Sequence, residues 1–304
     1  MNIWQPEPGE TLLTRRNITF ATGEATRVRG MRWFRDTERN DIQNELPGWP
    51  EGPAYTNRSS GNSIARTVGK GGLMAVGGII MAALSSAGGN LSGGAFGDSG
   101  SDTPDDRADE VDDFPVMWAA PGTLARTLPW ELDPGRSDDE YYRTHAIVTD
   151  RRLVIVGLPF YKKDTHRIED EVLWETPRSN ISKVEPRDFK DGRDFKILFS
   201  DGSWCRLRAM SRGGLIRYLH SPLELIPLES LTQAQRDAVD HFLATARAPD
   251  LSEPFVTRLP CGHYRAEALV PSELSAFFGA ASRDLKMNAD GTKVAYTDYH
   301  PEDL

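Results

Sequence analysis

The segment RDFKILFSDGSWCRLRAM, residues 193–210, sets the fold class of this 304-residue chain. In its first half, the apolar residues Phe195, Ile197 and Phe199 occupy every second position. This two-residue period is typical of a half-buried strand. Asp201 and Gly202 then form a two-residue turn signal, and a second alternating run follows. The segment therefore predicts a β-hairpin with one apolar face.

The same β pattern extends to both sides of this hairpin. RTHAIVTDRRLVIVGL, residues 143–158, contains two β-rich runs around a polar turn and predicts a second hairpin. EVLWETP at 171–177 and SNISKVEP at 179–186 each predict one short strand. GETLLTRRNITF, residues 9–20, predicts one or two more. The chain is therefore expected to be rich in short antiparallel strands.

One helix is predicted to follow these strands, within LTQAQRDAVDHFLATAR at residues 231–247. Ser230 or Thr232 is its expected N-cap, because a hydroxyl can accept from the free N–H groups of the first turn. Its apolar face comprises Leu231, Ala234, Val239, Phe242 and Leu243. The predicted fold class is α+β, mainly β: a bent antiparallel sheet or partly open barrel capped by a C-terminal helix.

Composition divides the chain into five segments. They are a polar N-terminal segment at 1–60 that could supply the first strand, a Gly/Ala-rich helical insertion at 61–89, an acidic linker at 90–113 that we expect to be disordered, a β-domain at 114–247, and a small C-terminal extension at 248–304. The extension is predicted to hold a helix at 271–286 and a hairpin through NADGTKVAYT, residues 288–297.

The runs AIVTDRRLVIV, ISKVEP and FKILFSDGSWCRL resemble the bacterial pleckstrin-homology-like (PH-like) and GRAM-type domains. These domains are small, strongly bent β-sheets closed at one end by a C-terminal helix. The resemblance covers roughly residues 114–247. PGETLL at 8–13 is similar to their opening strand, and GTLARTLPW at 122–130 is the alternative. The resemblance implies a module that binds membranes or proteins, and it supplies no catalytic residues.

Charge and motifs narrow the function further. The net charge is −9, but residues 98–113 alone hold eight carboxylates and one arginine, so the remainder is nearly balanced. This balance argues against nucleic-acid binding.

No GxxxxGK[ST] or GxGxxG phosphate loop is present, so no nucleotide cofactor is expected. GDSGS at 97–101 resembles a serine-protease signature, but that family's base histidine lies upstream, and the first histidine here is His145. No catalytic residue is predicted.

Two cysteines cannot form a disulfide framework, which favours a cytoplasmic location, at or near the inner face of the cell membrane. Cys261 and His263, in CGHY, place a thiol beside an imidazole. A zinc site requires three or four ligands. Only folding could bring Cys205, His241 or His300 to this pair, and no second paired motif exists. The sequence therefore predicts no metal.

Two loops carry clustered cations that could hold an anionic ligand or a lipid headgroup. The candidate residues are Lys162, Lys163 and Arg167 in YKKDTHR, and Lys183, Arg187 and Lys190 in KVEPRDFKDGR. Acidic residues interleave with all of them. Charge-neutralised, solvated loops are therefore the alternative interpretation.

Residues 71–89, GGLMAVGGIIMAALSSAGG, are uncharged over 19 positions. As a helix, the part of this stretch that holds the large apolar residues would be about 18 Å long. The hydrocarbon core of a membrane is roughly 30 Å thick. Small residues recur on one helical face at Gly71, Ala75, Gly78, Ala82 and Ser86. A helix that packs closely against a partner or a membrane surface is favoured over a membrane span, and a flexible linker comes last.

These observations favour a non-enzymatic binding or scaffold module. Its partner would be an unknown protein or an anionic membrane surface, and a homo-oligomer through the Gly/Ala-rich helix is a further option. One alternative is an integral membrane protein with a single span at 71–89. The other is an enzyme whose catalytic groups meet only in the fold.

Overall fold

A computed structural model describes most of the β-rich parts of the chain. The described residues are 3–21, 33–50, 115–133, 142–159, 168–187, 192–220, 223–246, 251–270 and 279–303. The predicted Gly/Ala-rich helix at 61–89 and the acidic linker at 90–113 lie outside them.

The described residues contain fourteen strands: β1 Leu12–Asn17, β2 Thr19–Phe20, β3 Trp33–Arg35, β4 Pro115–Trp118, β5 Tyr142–Thr149, β6 Arg152–Pro159, β7 Glu171–Pro177, β8 Ile181–Arg187, β9 Asp194–Phe199, β10 Trp204–Arg208, β11 Glu224–Ile226, β12 Phe255–Arg258, β13 Tyr264–Val270 and β14 Ala281–Met287. The same residues contain two α-helices, α1 Arg212–His220 and α2 Gln233–Thr245. The predicted mainly β, α+β class is confirmed. The strands form three sheets, and none of these closes into a barrel.

The first sheet is antiparallel and has the order β1-β5-β6-β7. The predicted hairpin of residues 143–158 is its central pair, β5 and β6. Its outer strand β1 begins at Leu12, within the N-terminal candidate 8–13. The other candidate, at 122–130, was wrong, since it folds into 3-10 turns at Leu124–Thr127 and Trp130–Leu132.

The second sheet has the order β3-β4-β10-β9-β8, with β2 paired to β10. The predicted hairpin of 193–210 is β9 and β10. Its turn is one residue longer than predicted, because the Phe199 N–H donates to Ser203 O across residues 200–202 at 2.8 Å. Gly202 has φ +84°. A three-residue hairpin loop places glycine at this left-handed position.

The core between the first two sheets is closed by α1, which packs against β1, β5, β8 and β9. Leu215 and Tyr218 of α1 are buried in this core. The alternating residues of β9 point into it as predicted, since Phe195, Ile197 and Phe199 are all buried. We predicted that the helix after Thr232 would close this core. That assignment was wrong, because α2 belongs to another sheet.

The third sheet has the order β11-β12-β13-β14, with α2 against β14. Thr232 is the N-cap of α2 in a complete capping box with Gln235. A separate small core lies under this helix and contains Leu231, Val239, Val256, Ala266 and Met287. Ala234 was predicted to lie on the apolar face of this helix, but it is exposed.

The C-terminal extension differs from its prediction in two ways. The helix predicted at 271–286 was wrong where the chain is described, because Ala281–Met287 forms β14 and pairs with β13 over seven positions. The predicted boundary at 247/248 also separates β11 from β12, which pair with each other. The turn after β14 is present, with Gly291 at φ +85°.

Hydrogen bonds attach the third sheet to β1 of the first sheet and to α1. The Ala280 N–H donates to Arg15 O at 3.1 Å, and the Arg16 guanidinium donates to Ala280 O. In addition, the Tyr218 hydroxyl of α1 donates to the buried carboxylate of Glu267 on β13. These contacts fix β1 and α1 against the third sheet, and they position the groove described below.

Candidate functional sites

Two of the six candidate cations lie in the described residues, on the outer strand β8 of the second sheet. Lys183, Glu185 and Arg187 alternate along this strand and so share one face. Lys183 Nζ lies 2.6 Å from a Glu185 oxygen, and Arg187 Nη2 lies 3.5 Å from the other. The Lys183 ammonium is the main cause that lowers the pKa of Glu185. Both cations are therefore partly neutralised by one carboxylate.

The other four candidate cations, Lys162, Lys163, Arg167 and Lys190, lie outside the described residues. The same holds for the proposed packing stripe of Gly71, Ala75, Gly78, Ala82 and Ser86. Among the helices that the structure describes, none is long and apolar enough to cross a membrane.

A groove of about 710 Å³ lies between the N-terminal segment and the third sheet. We call it the β11 groove, because residues 225–229 form one wall. Its lining comprises Gln5, Pro6, Glu10, Thr11, Leu12, Leu225, Ile226, Pro227, Leu228, Glu229, Ser252, Glu253, Pro254, Phe255 and Val256. Most of these side chains are apolar, whereas Glu229 and Glu253 are exposed carboxylates. The volume falls within the roughly 300–1,000 Å³ that is usual for ligand sites.

A buried carboxylate, Glu10, holds one end of this groove in place. Both of its oxygens accept from Arg152, each at 2.9 Å. It also accepts from the Thr149 hydroxyl at 2.6 Å and the Glu7 N–H at 2.9 Å. Burial opposes ionisation of Glu10, but these hydrogen bonds outweigh it and hold the pKa below that of an ordinary glutamate. Glu10 is therefore a structural anion already satisfied by the fold.

This lowered pKa predicts a pH-dependent stability. A carboxyl with a lowered folded-state pKa stabilises the fold above the unfolded-state pKa and loses that contribution as the pH falls through the folded value. We expect Glu10→Gln to cost about 1.5–3 kcal/mol at neutral pH. The variant should also show a shallower loss of stability between about pH 5 and pH 3. Urea unfolding across this range measures both effects. Glu171→Gln, at an exposed site, is the control, and identical pH slopes for Glu10→Gln and the parent would contradict the assignment.

A second cluster forms where the turn between β12 and β13 meets the C-terminal 3-10 turn, Pro301–Asp303. The Asp303 carboxylate is fully buried. One of its oxygens lies 2.9 Å from His263 Nδ1 and accepts from the His300 N–H at 2.8 Å. The other lies 4.0 Å from Cys261 Sγ. Burial opposes ionisation of Asp303, but the contacts with His300 and His263 prevail and lower its pKa.

The sequence identified part of this cluster and missed the rest. Cys261 and His263 were recognised as a pair, and His300 was considered as a distant partner. Asp303 was not considered, because a lone carboxylate near a chain end carries no motif. The spacing His300-x-x-Asp303 beside Cys261-x-His263 was the only available signal. The other cysteine, Cys205, is buried in the second sheet, and both thiols are free.

Comparisons with known proteins identify no relative of this chain: no protein-family model, no curated protein and no solved structure matches it. Functional inference therefore rests on the geometry of the β11 groove, the β8 cations and the Cys261 cluster.

Proposed function

We propose that this protein is a non-enzymatic binding or scaffold module of the PH-like type that engages a protein partner or a membrane surface. The observation that carries the proposal is the β11 groove, a depression of ligand-binding size with both apolar and polar lining residues, beside the outer strand of a sheet. The chain order gives additional support. Strands β5 to β10 follow one another along the chain and are followed by α1, and β-strands closed by a helix are what the resemblance implies.

A protein partner fits the groove best. β11 is an outer strand, and an extended peptide can add to such an edge through main-chain hydrogen bonds. Leu228, which is 36% exposed on the groove wall, offers an apolar side chain to such a peptide. Glu229 and Glu253 at the rim favour Lys or Arg next to them, since opposite charges direct orientation and association. We therefore propose an extended segment with apolar side chains and flanking basic residues.

An anionic membrane surface is the second candidate, and Lys183 and Arg187 on β8 favour it. Each juxtamembrane Lys or Arg contributes about 1 kcal/mol to adsorption on an anionic surface. Both residues share Glu185, so the described part of this face carries little net charge. The remaining candidates, Lys162, Lys163, Arg167 and Lys190, would have to supply most of the attraction.

Site-specific photo-crosslinking in the host cells tests the groove. A photoreactive amino acid at Leu228, on the groove rim, should yield a discrete adduct with one partner. The same group at Val172, which is 51% exposed on β7, is the matched control. The double change Glu229→Lys and Glu253→Lys should remove most of the adduct at Leu228, whereas Glu171→Lys should not. Equal adducts at both positions, or no effect of the double change, would argue against a basic partner in the groove.

Vesicle co-sedimentation tests the membrane alternative with the same purified protein. Because Glu185 partly neutralises the described cations, we expect anionic phosphatidylserine vesicles to retain no more protein than neutral phosphatidylcholine vesicles. Greater retention on anionic vesicles, abolished by Lys162→Ala, Lys163→Ala and Arg167→Ala together, would make the membrane surface the partner instead.

A further inference from the structure

The cluster around Asp303 combines the donor atoms that transition metals prefer. Cys261 Sγ, a ring nitrogen of His263 and an oxygen of Asp303 all lie within 4.8 Å of one another. Tetrahedral zinc, with bonds of about 2.0–2.3 Å, separates its donor atoms by roughly 3.4–3.6 Å. The observed separations of 2.9 Å and 4.0 Å lie on either side of this value. Small side-chain rotations would therefore place the three donors around one ion.

A fourth donor stands beside these three. The His300 ring centroid is 5.3 Å from that of His263, and the His300 side chain is exposed and so able to rotate. The backbone on both sides is held firmly. Gly262, at φ +92°, allows the tight turn between Cys261 and His263. On the other side, the buried Arg265 guanidinium donates to Asp303 O.

We propose that Cys261, His263, His300 and Asp303 bind a divalent transition metal of the zinc class. A thiolate, two imidazoles and one carboxylate suit Zn²⁺, because this ion accepts sulfur, nitrogen and oxygen ligands in tetrahedral geometry. Magnesium and calcium prefer sites made entirely of oxygen donors. A thiolate and a carboxylate also carry two negative charges, which balance the charge of the ion in a half-buried position.

Binding exchanges protons and hydrogen bonds in a defined way. The Cys261 thiol releases its proton to solvent, because the thiolate is the metal ligand. The hydrogen bond between His263 Nδ1 and Asp303 gives way to coordination of both groups. The His300 N–H can keep its bond to the Asp303 carboxylate, as an outer partner that orients the ligand.

The proposed role of the ion is structural. Four protein ligands complete a tetrahedral site and leave no open position for substrate, as in other structural zinc sites. Cys261 and His263 belong to the β12–β13 turn, whereas His300 and Asp303 belong to the C-terminal turn, about 40 residues further along. The ion would join these two segments and stabilise the third sheet, which forms one side of the β11 groove.

Titration of the full-length, metal-free protein with Co²⁺ tests this inference. We expect one equivalent to bind, with intense d–d bands from a tetrahedral site and a thiolate-to-cobalt charge-transfer band. Cys261→Ser should abolish the charge-transfer band. It should also weaken Co²⁺ binding by more than the roughly 10–100-fold that loss of an outer-shell partner costs. His263→Gln and Asp303→Asn should weaken it similarly. The matched controls His241→Gln and Asp298→Asn alter exposed residues outside the cluster and should bind like the parent.

If Asp303→Asn does not fold, Cys261→Ser still decides the test. The Cys261 thiol lies 4.0 Å from the Asp303 carboxylate, farther than His263 or the His300 N–H, so its loss should disturb the fold least. Zinc should also raise the melting temperature of the parent and not that of Cys261→Ser. A protein without a charge-transfer band at saturating Co²⁺, or a band that survives in Cys261→Ser, would overturn the proposal. Unchanged affinity in His300→Gln would overturn the assignment of His300 as the fourth ligand.

Discussion

Replacing Asp170 with alanine should lower the free energy of unfolding by about 3–5 kcal/mol, because it would leave a buried guanidinium without its carboxylate. Asp170 accepts two hydrogen bonds from Arg15, at 2.7 and 2.6 Å, and both side chains are almost fully buried. Arg15 Nε also donates to His145 Nδ1 at 2.9 Å, and the Trp4 N–H donates to Asp170 at 2.7 Å. The pair thus joins β1, β5, the residue before β7 and the N-terminal segment.

Two further variants separate the cost of a buried charge from the loss of an ordinary contact. Glu185→Ala removes the partner of Lys183 on the surface of β8 and should cost less than about 1 kcal/mol, as exposed ion pairs usually do. The double variant Arg15→Met and Asp170→Ala leaves no unpaired charge. It should therefore be more stable than Asp170→Ala alone, although His145 loses its donor.

Urea unfolding of these three variants and the parent measures each loss under identical conditions. A loss for Asp170→Ala no larger than that for Glu185→Ala would show that the buried pair contributes little. If the double variant were instead less stable than Asp170→Ala, an unpaired Arg15 charge could not be the source of the loss.

The sequence predicted those parts of the fold that depend on neighbouring residues. Apolar residues at every second position before residues 200–202, and β-rich runs on both sides of Asp150, sufficed to predict the β9–β10 and β5–β6 hairpins, because their pairing partners are only a few residues apart. The N-cap at Thr232 is equally local, since its hydroxyl reaches a backbone N–H three residues away. Such features need no information from the rest of the chain.

The sequence failed where distant partners decide the structure. Residues 279–287 carry helix-forming Ala, Leu and Lys, yet β13 offers them a full pairing register, and this tertiary pairing overrides a weak helical preference. The sequence of residues 231–245 predicted a helix, but it did not indicate which sheet that helix packs against. The Cys261 cluster depends on a contact between residues about 40 positions apart, and alternation patterns carry no signal for such a contact.

In the candidate sites too, the sequence predicted the local features and missed those that depend on distant residues. The β8 cations Lys183 and Arg187 were recognised from composition alone, but their shared partner Glu185 became evident only from the strand face. The β11 groove was not predicted, because its walls come from the N-terminal segment, from β11 and from the start of β12. Residues 279–280 help to hold these walls together, because they attach the third sheet to β1.

That attachment makes Gly279 sensitive to even a small substitution. Its φ is +87°, a conformation that costs an L-amino acid about 1–2 kcal/mol. A Cβ atom there would also lie 2.4 Å from Arg15 O and 2.7 Å from Arg16 Cα, which are backbone atoms of β1. Relieving that overlap requires β1 and the third sheet to separate, and overpacking of this kind costs about 1–3 kcal/mol. We therefore expect Gly279→Ala to lower the free energy of unfolding by about 2–5 kcal/mol in total.

Gly122→Ala is the matched control, because Gly122 has a similar φ of +77° and a Cβ atom added there would have no neighbouring atom within 4 Å. It should show only the conformational cost of about 1–2 kcal/mol. Hydrogen exchange provides a local measurement, since the Ala280 N–H donates to Arg15 O and should exchange faster in Gly279→Ala. Photo-crosslinking from Leu228 should decline in Gly279→Ala and persist in Gly122→Ala, because only the first substitution displaces one wall of the β11 groove. Equal stability losses with unchanged exchange at Ala280 would mean that the third sheet does not depend on this close approach.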